Sequence, residues 1–216
     1  MKKLFSLIVA MFATLNLASA AVDLTVGARG IFGLDIGMHL GDPDYETDMN
    51  RSLDFGGAVF AKIPLYEGLG LQVEVGYTYN DFGQKLDYDD LEYKEDVSYR
   101  TIDIPLLVTY DIKANDILTI SPLFGPRFSI PVGDATVRAS VDSEEYEDDV
   151  KIDNVVLFSL VTGVNVAFRA GPGAILGDIR YNNGVSQLTL DYGNDAKDVV
   201  FTPRNLQFSV GYQLPL

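Results

Sequence analysis

The amino-acid sequence predicts an all-β protein, an eight-stranded antiparallel up-and-down transmembrane β-barrel. Three observations support this fold class. Apolar and polar side chains alternate along most of the chain, short and long connections follow one another in turn, and the net negative charge lies in the long connections. Transmembrane barrels have this organisation because their outer wall contacts lipid while their inner wall and loops contact water.

Alternation is clearest in residues 206–216, where every even position is large and apolar and every odd position is small or polar. A period of two is the pattern of a strand with one apolar and one polar face. The same pattern recurs along the chain, more weakly in two glycine-rich segments near its start. We assign eight strands to about 22–36, 53–65, 71–80, 101–111, 118–130, 158–168, 175–190 and 206–216.

The connections alternate in length. Short turns are predicted at 66–68, 113–116 and 170–173, and long polar segments around 39–54, 81–96, 134–153 and 191–198. This order fits eight antiparallel strands whose two chain ends lie on the short-turn side. Outer-membrane barrels have short periplasmic turns and long external loops, so the long segments are predicted to be acidic extracellular loops.

Residues 1–20 are predicted to be a signal peptide, and residues 21–216 the barrel domain. Lys2 and Lys3 precede a largely apolar stretch, and Ala18-Ser19-Ala20 is a small-residue cleavage site. No later stretch reaches the ~20 apolar residues of a membrane helix. The chain contains no cysteine, which excludes a disulfide scaffold and a thiolate metal site in an exported protein.

Charge is divided unevenly between the connections and the strands. The four long segments contain 23 of the 31 acidic residues and six basic residues, which leaves eight acids and eight bases in the rest of the mature chain. A charge that faces lipid is unfavourable, so charges on the polar face of the strands are expected to pair inside the barrel. We predict a lumen charge network of Arg29, Lys62, Glu74, Asp103, Arg127, Asp178 and Arg180.

An exported soluble barrel is the rival architecture. Such a barrel fills its interior with large apolar side chains, whereas the polar face here consists of glycine, serine, threonine, glutamine and charged residues. The membrane barrel is therefore favoured. An eight-stranded barrel has an interior just wide enough for side chains to fill, so we expect a plugged lumen.

Several short motifs resemble those of a known family. The motifs are RTIDIPLLVTY at 100–110, GPRF at 125–128, Gly163, DIRY at 178–181 and FSVGYQL at 208–214. They are similar to segments of the outer-membrane β-barrel domain proteins, the PorT-like or porin-family small barrels. The resemblance implies the outer membrane of a Gram-negative-type bacterium, and the family has no shared catalytic residues to transfer. Leu216 departs from the aromatic last residue that many barrels carry.

The expected partners are outer-membrane lipid and the barrel-insertion machinery, which would act through the C-terminal strand of a monomer. The excess of acids argues against nucleic-acid binding, since phosphates require basic partners. No cofactor is expected beyond a weakly bound divalent cation. Candidate metal ligands are Asp42, Asp44, Glu46 and Asp48, whose alternation places four carboxylates on one face of an extended segment. An EF-hand pattern is absent, and a solvated acidic loop is the simpler interpretation.

The expected function is a structural or surface-interaction role, without catalysis. Tyrosines interleave the acids of the long segments, and tyrosine suits contact surfaces; they are Tyr45, Tyr88, Tyr93, Tyr146 and Tyr192. Two alternatives stay open. One is a narrow small-solute channel or porin, and the other is a lipid-modifying hydrolase at the rim that uses His39, the only histidine.

Overall fold

A computed structural model describes residues 24–36, 47–50, 53–88, 91–141, 144–191 and 199–216. Within them, no helix is long and apolar enough to cross a membrane. The described residues contain fourteen strands: β1 Thr25–Asp35, β2 Thr47–Asn50, β3 Leu53–Tyr66, β4 Leu69–Tyr88, β5 Leu91–Tyr110, β6 Ile112–Lys113, β7 Leu118–Pro131, β8 Ala135–Val141, β9 Glu144–Ile152, β10 Leu157–Ala170, β11 Gly173–Gly184, β12 Leu188–Asp191, β13 Val199–Phe201 and β14 Arg204–Pro215.

Eight of these strands close into an antiparallel barrel. In chain order they are β1, β3, β4, β5, β7, β10, β11 and β14; each pairs with the next, and β14 pairs back onto β1. Closure leaves no open edge in the barrel wall, so backbone groups of neighbouring strands pair with one another without water. The predicted fold class is confirmed. One predicted strand, 175–190, is interrupted, because β11 ends at Gly184 and β12 begins at Leu188.

The barrel wall has a polar inside and an apolar outside. Glu74 and Thr78 point inward and are 1% and 0% exposed, whereas Phe32 and Val210 point outward and are 62% and 64% exposed. A protein that folds in water places these residue classes the other way round. Lipid must therefore cover the outer face of the barrel.

Three short connections, the start of β1 and the end of β14 lie at one end of the barrel, which we call the short-turn end. The backbone N–H of Leu216 donates a hydrogen bond to the carbonyl of Leu24 at 2.7 Å. The turn between β3 and β4 consists of Glu67 and Gly68, with φ angles of 38° and 89°. Two consecutive positive φ values are typical of the two-residue turns whose twist matches that of a hairpin.

The opposite, long-connection end differs from the prediction of loops. β4 and β5 are each 20 residues long. The β8–β9 hairpin pairs with the distal part of β5, β12 pairs with β9, and β13 pairs with β12. Segments 81–96 and 134–153 are therefore mostly strand. We call the distal parts of β4 and β5, together with β8, β9, β12 and β13, the extension.

The extension has an apolar core of its own. Its buried residues are Phe82, Val97, Tyr99, Ala135, Val137, Val150, Leu188 and Leu190, and Leu157 at the start of β10 packs with them. Four of these residues lie in the predicted loops, where each is next to a charged residue and the high acid content hid them: Phe82, Ala135, Val137 and Val150. Segments 39–54 and 191–198 lie largely outside the described residues.

Candidate functional site: the barrel lumen

The structure arranges the seven side chains of the predicted lumen network in three groups. Arg29, Glu74, Asp178 and Arg180 form one cluster. Asp103 and Arg127 form a separate ion pair, and Lys62 pairs with Asp111, a residue outside the predicted set.

The four-residue cluster is the most completely buried group of charges. Arg180 is bidentate toward Glu74, with Nη1 donating to Oε2 at 3.0 Å and Nη2 donating to Oε1 at 2.9 Å. Its Nη2 also lies 2.9 Å from Oδ2 of Asp178. Arg29 completes the cluster, with Nη2 3.2 Å from Oε1 of Glu74 and Nη1 donating to Asp178.

This cluster is electrically neutral, because two guanidinium groups face two carboxylates. Their side chains are at most 4% exposed. Gln72 adds a further donor, since its Nε2 lies 2.6 Å from Oε1 of Glu74. Bidentate, charge-assisted hydrogen bonds are strong and directional, so the cluster holds its side chains in a defined arrangement across the lumen.

Inward-facing glycines provide the space for these large side chains. The Arg29 guanidinium carbon lies 4.4 Å from the ring centroid of Phe60. A Cβ on Gly27 would lie 2.3 Å from that ring, and a Cβ on Gly163 would lie 3.0 Å from Cγ of Arg180. The glycines that weaken the alternation pattern are thus needed where bulky lumen side chains cross.

The second charged group lies nearer the long-connection end. Arg127 Nη2 is 3.4 Å from Oδ1 of Asp103, and Nε donates to Oγ of Ser129 at 3.0 Å. Thr78 Oγ1 donates to Oδ2 of Asp103 at 2.7 Å. Each charge in this group therefore has a described partner.

Sequence reasoning missed two inward carboxylates, of which Asp54 is buried and Asp111 partly buried. Asp111 pairs with Lys62 and accepts a hydrogen bond from Ser121 Oγ at 2.6 Å. Asp54 is 1% exposed and accepts from Asn205 Nδ2 at 2.7 Å. Both aspartates lie at polar-face positions of their predicted strands, and this placement could have identified them as inward-facing. Asp54 lies where the predicted strand 53–65 overlaps the predicted long segment 39–54.

Apolar side chains also occupy the lumen, although the polar face was expected to carry few of them. Two groups are buried there: Phe60, Ala167 and Leu176, and Leu107, Leu123 and Val161. Their positions lie on the inner face in register with the charged residues. The interior therefore combines ion pairs with ordinary apolar packing.

Two cavities lie on opposite sides of this filled region. One of about 30 Å³ lies toward the long-connection end and is lined by Thr101, Arg127 and Asn182 among others. The other, of about 80 Å³, lies toward the short-turn end and is lined by Lys62, Gln72 and others. The two cavities share no lining residue. Side chains thus separate the two halves of the lumen.

The remaining candidate site residues lie beyond what the structure describes. Asp42, Asp44, Glu46 and His39 are outside the described residues, and for Asp48 only the backbone is described. In the described part of the chain, no group of three or more histidines, cysteines or carboxylates could hold a metal ion. The cation site and the hydrolase hypothesis stay predictions.

Comparisons with known proteins agree with this architecture. No curated protein matches the sequence. Outer membrane protein OprG from Pseudomonas aeruginosa is 11% identical, with 89% of this chain and 96% of that chain covered and a TM-score of 0.56. A major outer membrane protein from Thermus thermophilus is 14% identical, with 91% and 100% covered and a TM-score of 0.52.

Neisserial surface protein A is 17% identical, with 89% of this chain and 97% of that chain covered and a TM-score of 0.45. At these identities the likeness to OprG and to the Thermus thermophilus protein concerns the fold alone. The family model described as "Outer membrane protein beta-barrel domain" matches residues 19–190. This match spans most of the sequence, and it agrees with the closed barrel and its apolar outer wall. The chain therefore belongs to the outer membrane protein beta-barrel domain family.

Proposed function

We propose that this protein is a non-conducting outer-membrane barrel with a structural or surface-interaction role. Its family implies the outer membrane of a Gram-negative-type bacterium. Barrels of this kind carry their long connections on the cell exterior, so the extension faces outward. The barrel anchors the chain in lipid, and the extension presents a folded surface to the environment.

The observation that carries this proposal is the apolar core of the extension. Leu188 and Leu190 are both 0% exposed, although they lie beyond the polar lumen of the barrel. Burying one leucine side chain contributes about 1.5–3 kcal/mol. A segment stabilised in this way is already folded before a partner binds. The entropic cost of ordering it on binding is therefore small.

The accessible surface of the extension carries acids and tyrosine. On β9, Tyr146 is 58% exposed, and Glu147, Asp148 and Asp149 are exposed. Arg138 of β8 is near, with Nε 2.8 Å from Oε2 of Glu147, and this carboxylate raises the pKa of Arg138. A predominantly acidic surface favours partners of positive charge. We infer a basic polypeptide surface as the class of partner.

Adhesion of cells that display the protein tests the surface role. We expect such cells to bind immobilised polylysine more strongly than cells without the protein, with less binding as salt rises. The triple variant Tyr146→Ser, Glu147→Gln and Asp148→Asn should lose most of this gain. The control Glu67→Gln changes an exposed acid at the short-turn end and should leave adhesion unchanged. Equal adhesion of the triple variant and the unaltered protein would refute the surface role.

Planar-bilayer recording tests the alternative of a narrow channel. The neutral cluster of Arg29, Glu74, Asp178 and Arg180 lies between the two lumen cavities and is almost fully buried. We therefore expect no discrete conductance steps from the refolded protein. Reproducible steps that change with Arg180→Ala would instead favour the channel.

The remaining expectations on partners and processing belong to the same proposal. Aromatic residues on the outer wall support contact with the lipid interfaces. Near the long-connection end Phe55 stacks on Tyr79 with ring centroids 4.9 Å apart, and Tyr66 and Tyr110 are exposed at the short-turn end.

We propose a monomer without a cofactor, inserted through its C-terminal strand after cleavage at Ala20. Mass spectrometry of the membrane-inserted form tests this cleavage.

A further inference from the structure

The short-turn end of the lumen opens into a blind vestibule. Its inner part is the cavity of about 80 Å³, and its mouth is a wider cavity of about 710 Å³. Thr119, Ala167 and Gln213 line both parts, so the two are adjacent. The inner part ends at Gln72, which donates to Glu74 of the central cluster, and at Leu176, which packs in the group of Phe60.

Unused hydrogen-bonding groups remain at the inner part of the vestibule. Thr109 lines it and is 2% exposed, and its Oγ1 has no hydrogen-bond partner among the described residues. Lys62 lines it as well, and its ammonium has three N–H donors, of which Asp111 takes one. The Asp111 carboxylate is already engaged by Lys62 and by Ser121 Oγ. The remaining N–H groups of Lys62 and the hydroxyl of Thr109 therefore have no carboxylate partner among the described residues.

The mouth of the vestibule has two more cations. Lys113 and Arg169 line it and are exposed, and no ion pair between described residues involves either. Asp116 is the carboxylate at the mouth. Three cations thus face two carboxylates along the vestibule, in a chain whose formal net charge is −15. The residues that line the vestibule thus carry one excess positive charge.

We propose that the vestibule binds an oxyanion, the carboxylate or phosphate group of a small periplasmic solute. The group sits near Thr119 and Gln213, with Lys62 and Thr109 on its inner side and Lys113 and Arg169 on its outer side. On the inner side, walls of low dielectric strengthen these interactions relative to water, and the barrel holds Lys62 and Thr109 in place before the anion arrives. The filled lumen above makes the site a dead end, so the anion enters and leaves through the periplasmic mouth.

Titration of the full mature protein in nanodiscs of zwitterionic phosphatidylcholine tests this proposal, with sodium acetate and inorganic phosphate as probes. Binding is followed by calorimetry at constant ionic strength. We expect at least one probe to bind saturably, and Thr109→Val and Arg169→Gln each to weaken binding about tenfold, the effect of losing one hydrogen bond to a charged group. Lys151→Gln, at an exposed lysine of the extension, is the matched charge control and should bind as the unaltered protein does.

The probes distinguish the possible sources of the anion. Binding of acetate alone identifies a carboxylate solute, and binding of phosphate alone identifies a phosphorylated one. The isosteric Thr109→Val keeps the barrel packing, whereas Lys62→Met would leave Asp111 without its cation. Absence of saturable binding, or equal binding by Thr109→Val, Arg169→Gln and Lys151→Gln, overturns the proposal. Neither outcome affects the proposed surface role, whose tests concern the opposite end of the molecule.

Discussion

The barrel and the extension place their side chains in opposite ways although they share two continuous strands. Along β4, the inward residues change from Thr78 and Asn80, which are polar, to Phe82, which is apolar and 6% exposed. Along β5, the change falls between Thr101 and Tyr99. The outer face changes in the reverse sense, from Tyr79 to Asp81 along β4 and from Ile102 to Arg100 along β5. Strand geometry is the same on both sides of this boundary, so the surroundings alone explain the inversion.

The boundary marks the level at which lipid gives way to water. Below it, apolar side chains are stable on the outside, and polar groups must pair in the lumen. Above it, apolar side chains leave water by packing together inside the extension. The same chain therefore buries polar side chains in the barrel and apolar side chains in the extension. Four substitutions test whether the stability of the two regions differs as their interiors suggest.

The largest effect is expected in the barrel, from Arg180→Ala. This change removes three hydrogen bonds and leaves Glu74 and Asp178 with Arg29 as their one cation. Breaking a buried charge pair from one side destabilises a protein by about 3–5 kcal/mol. Electrophoresis of the refolded barrel after stepwise heating should show unfolding at a lower temperature. An unchanged unfolding temperature in detergent would contradict the role of this cluster in stability.

Leu188→Ala should act on the extension and leave the barrel intact. Leu188 is fully buried in the apolar core of the extension, and truncation of such a leucine costs about 2–5 kcal/mol. We expect faster hydrogen exchange and proteolysis of β8, β9 and β12, with an unchanged unfolding temperature of the barrel. Equal loss of both would show that the two regions unfold as one unit.

A smaller effect is expected just below the boundary. Asn80→Val removes the hydrogen bond from Asn80 Nδ2 to Thr101 Oγ1, which is 3.1 Å long. A hydrogen bond of this kind contributes about 0.5–1.5 kcal/mol. Thermal unfolding monitored by circular dichroism should show a modest decrease. An increase in stability would mean that the apolar interior of the extension reaches further into the barrel than the side chains indicate.

Arg138→Ala should have the smallest effect. Arg138 and Glu147 form an ion pair whose side chains are 61% and 62% exposed, and solvent screens exposed pairs. No measurable change in thermal unfolding is expected, in contrast to Arg180→Ala. A decrease as large as that of Arg180→Ala would remove the distinction between buried and exposed ion pairs in this molecule.

The fold was predictable because alternation encodes which face of each strand meets lipid. The short turns and the eight barrel strands followed from this pattern and from connection length. The predicted loops were wrong at 81–96 and 134–153 because acidic residues dominated their composition. Phe82, Val137 and Val150 lie in these segments at spacings that suit strands. Charged residues separate them from the other apolar residues in the sequence, and only the pairing of the hairpins shows that they contact one another.

The sequence alone was enough to determine that the chain forms a barrel with an apolar outside and inward-pointing charged residues. These features were predictable because the alternation of apolar and polar residues is a local property of the sequence. The tertiary structure decided which charges pair. Arg180 meets Glu74 across a separation of 106 residues, and the stagger between strands sets that meeting. The same closure also decided that Asp54 is buried and Asp111 partly buried. It decided as well that ion pairs and apolar side chains together fill the middle of the lumen, and that the extension has an apolar core of its own.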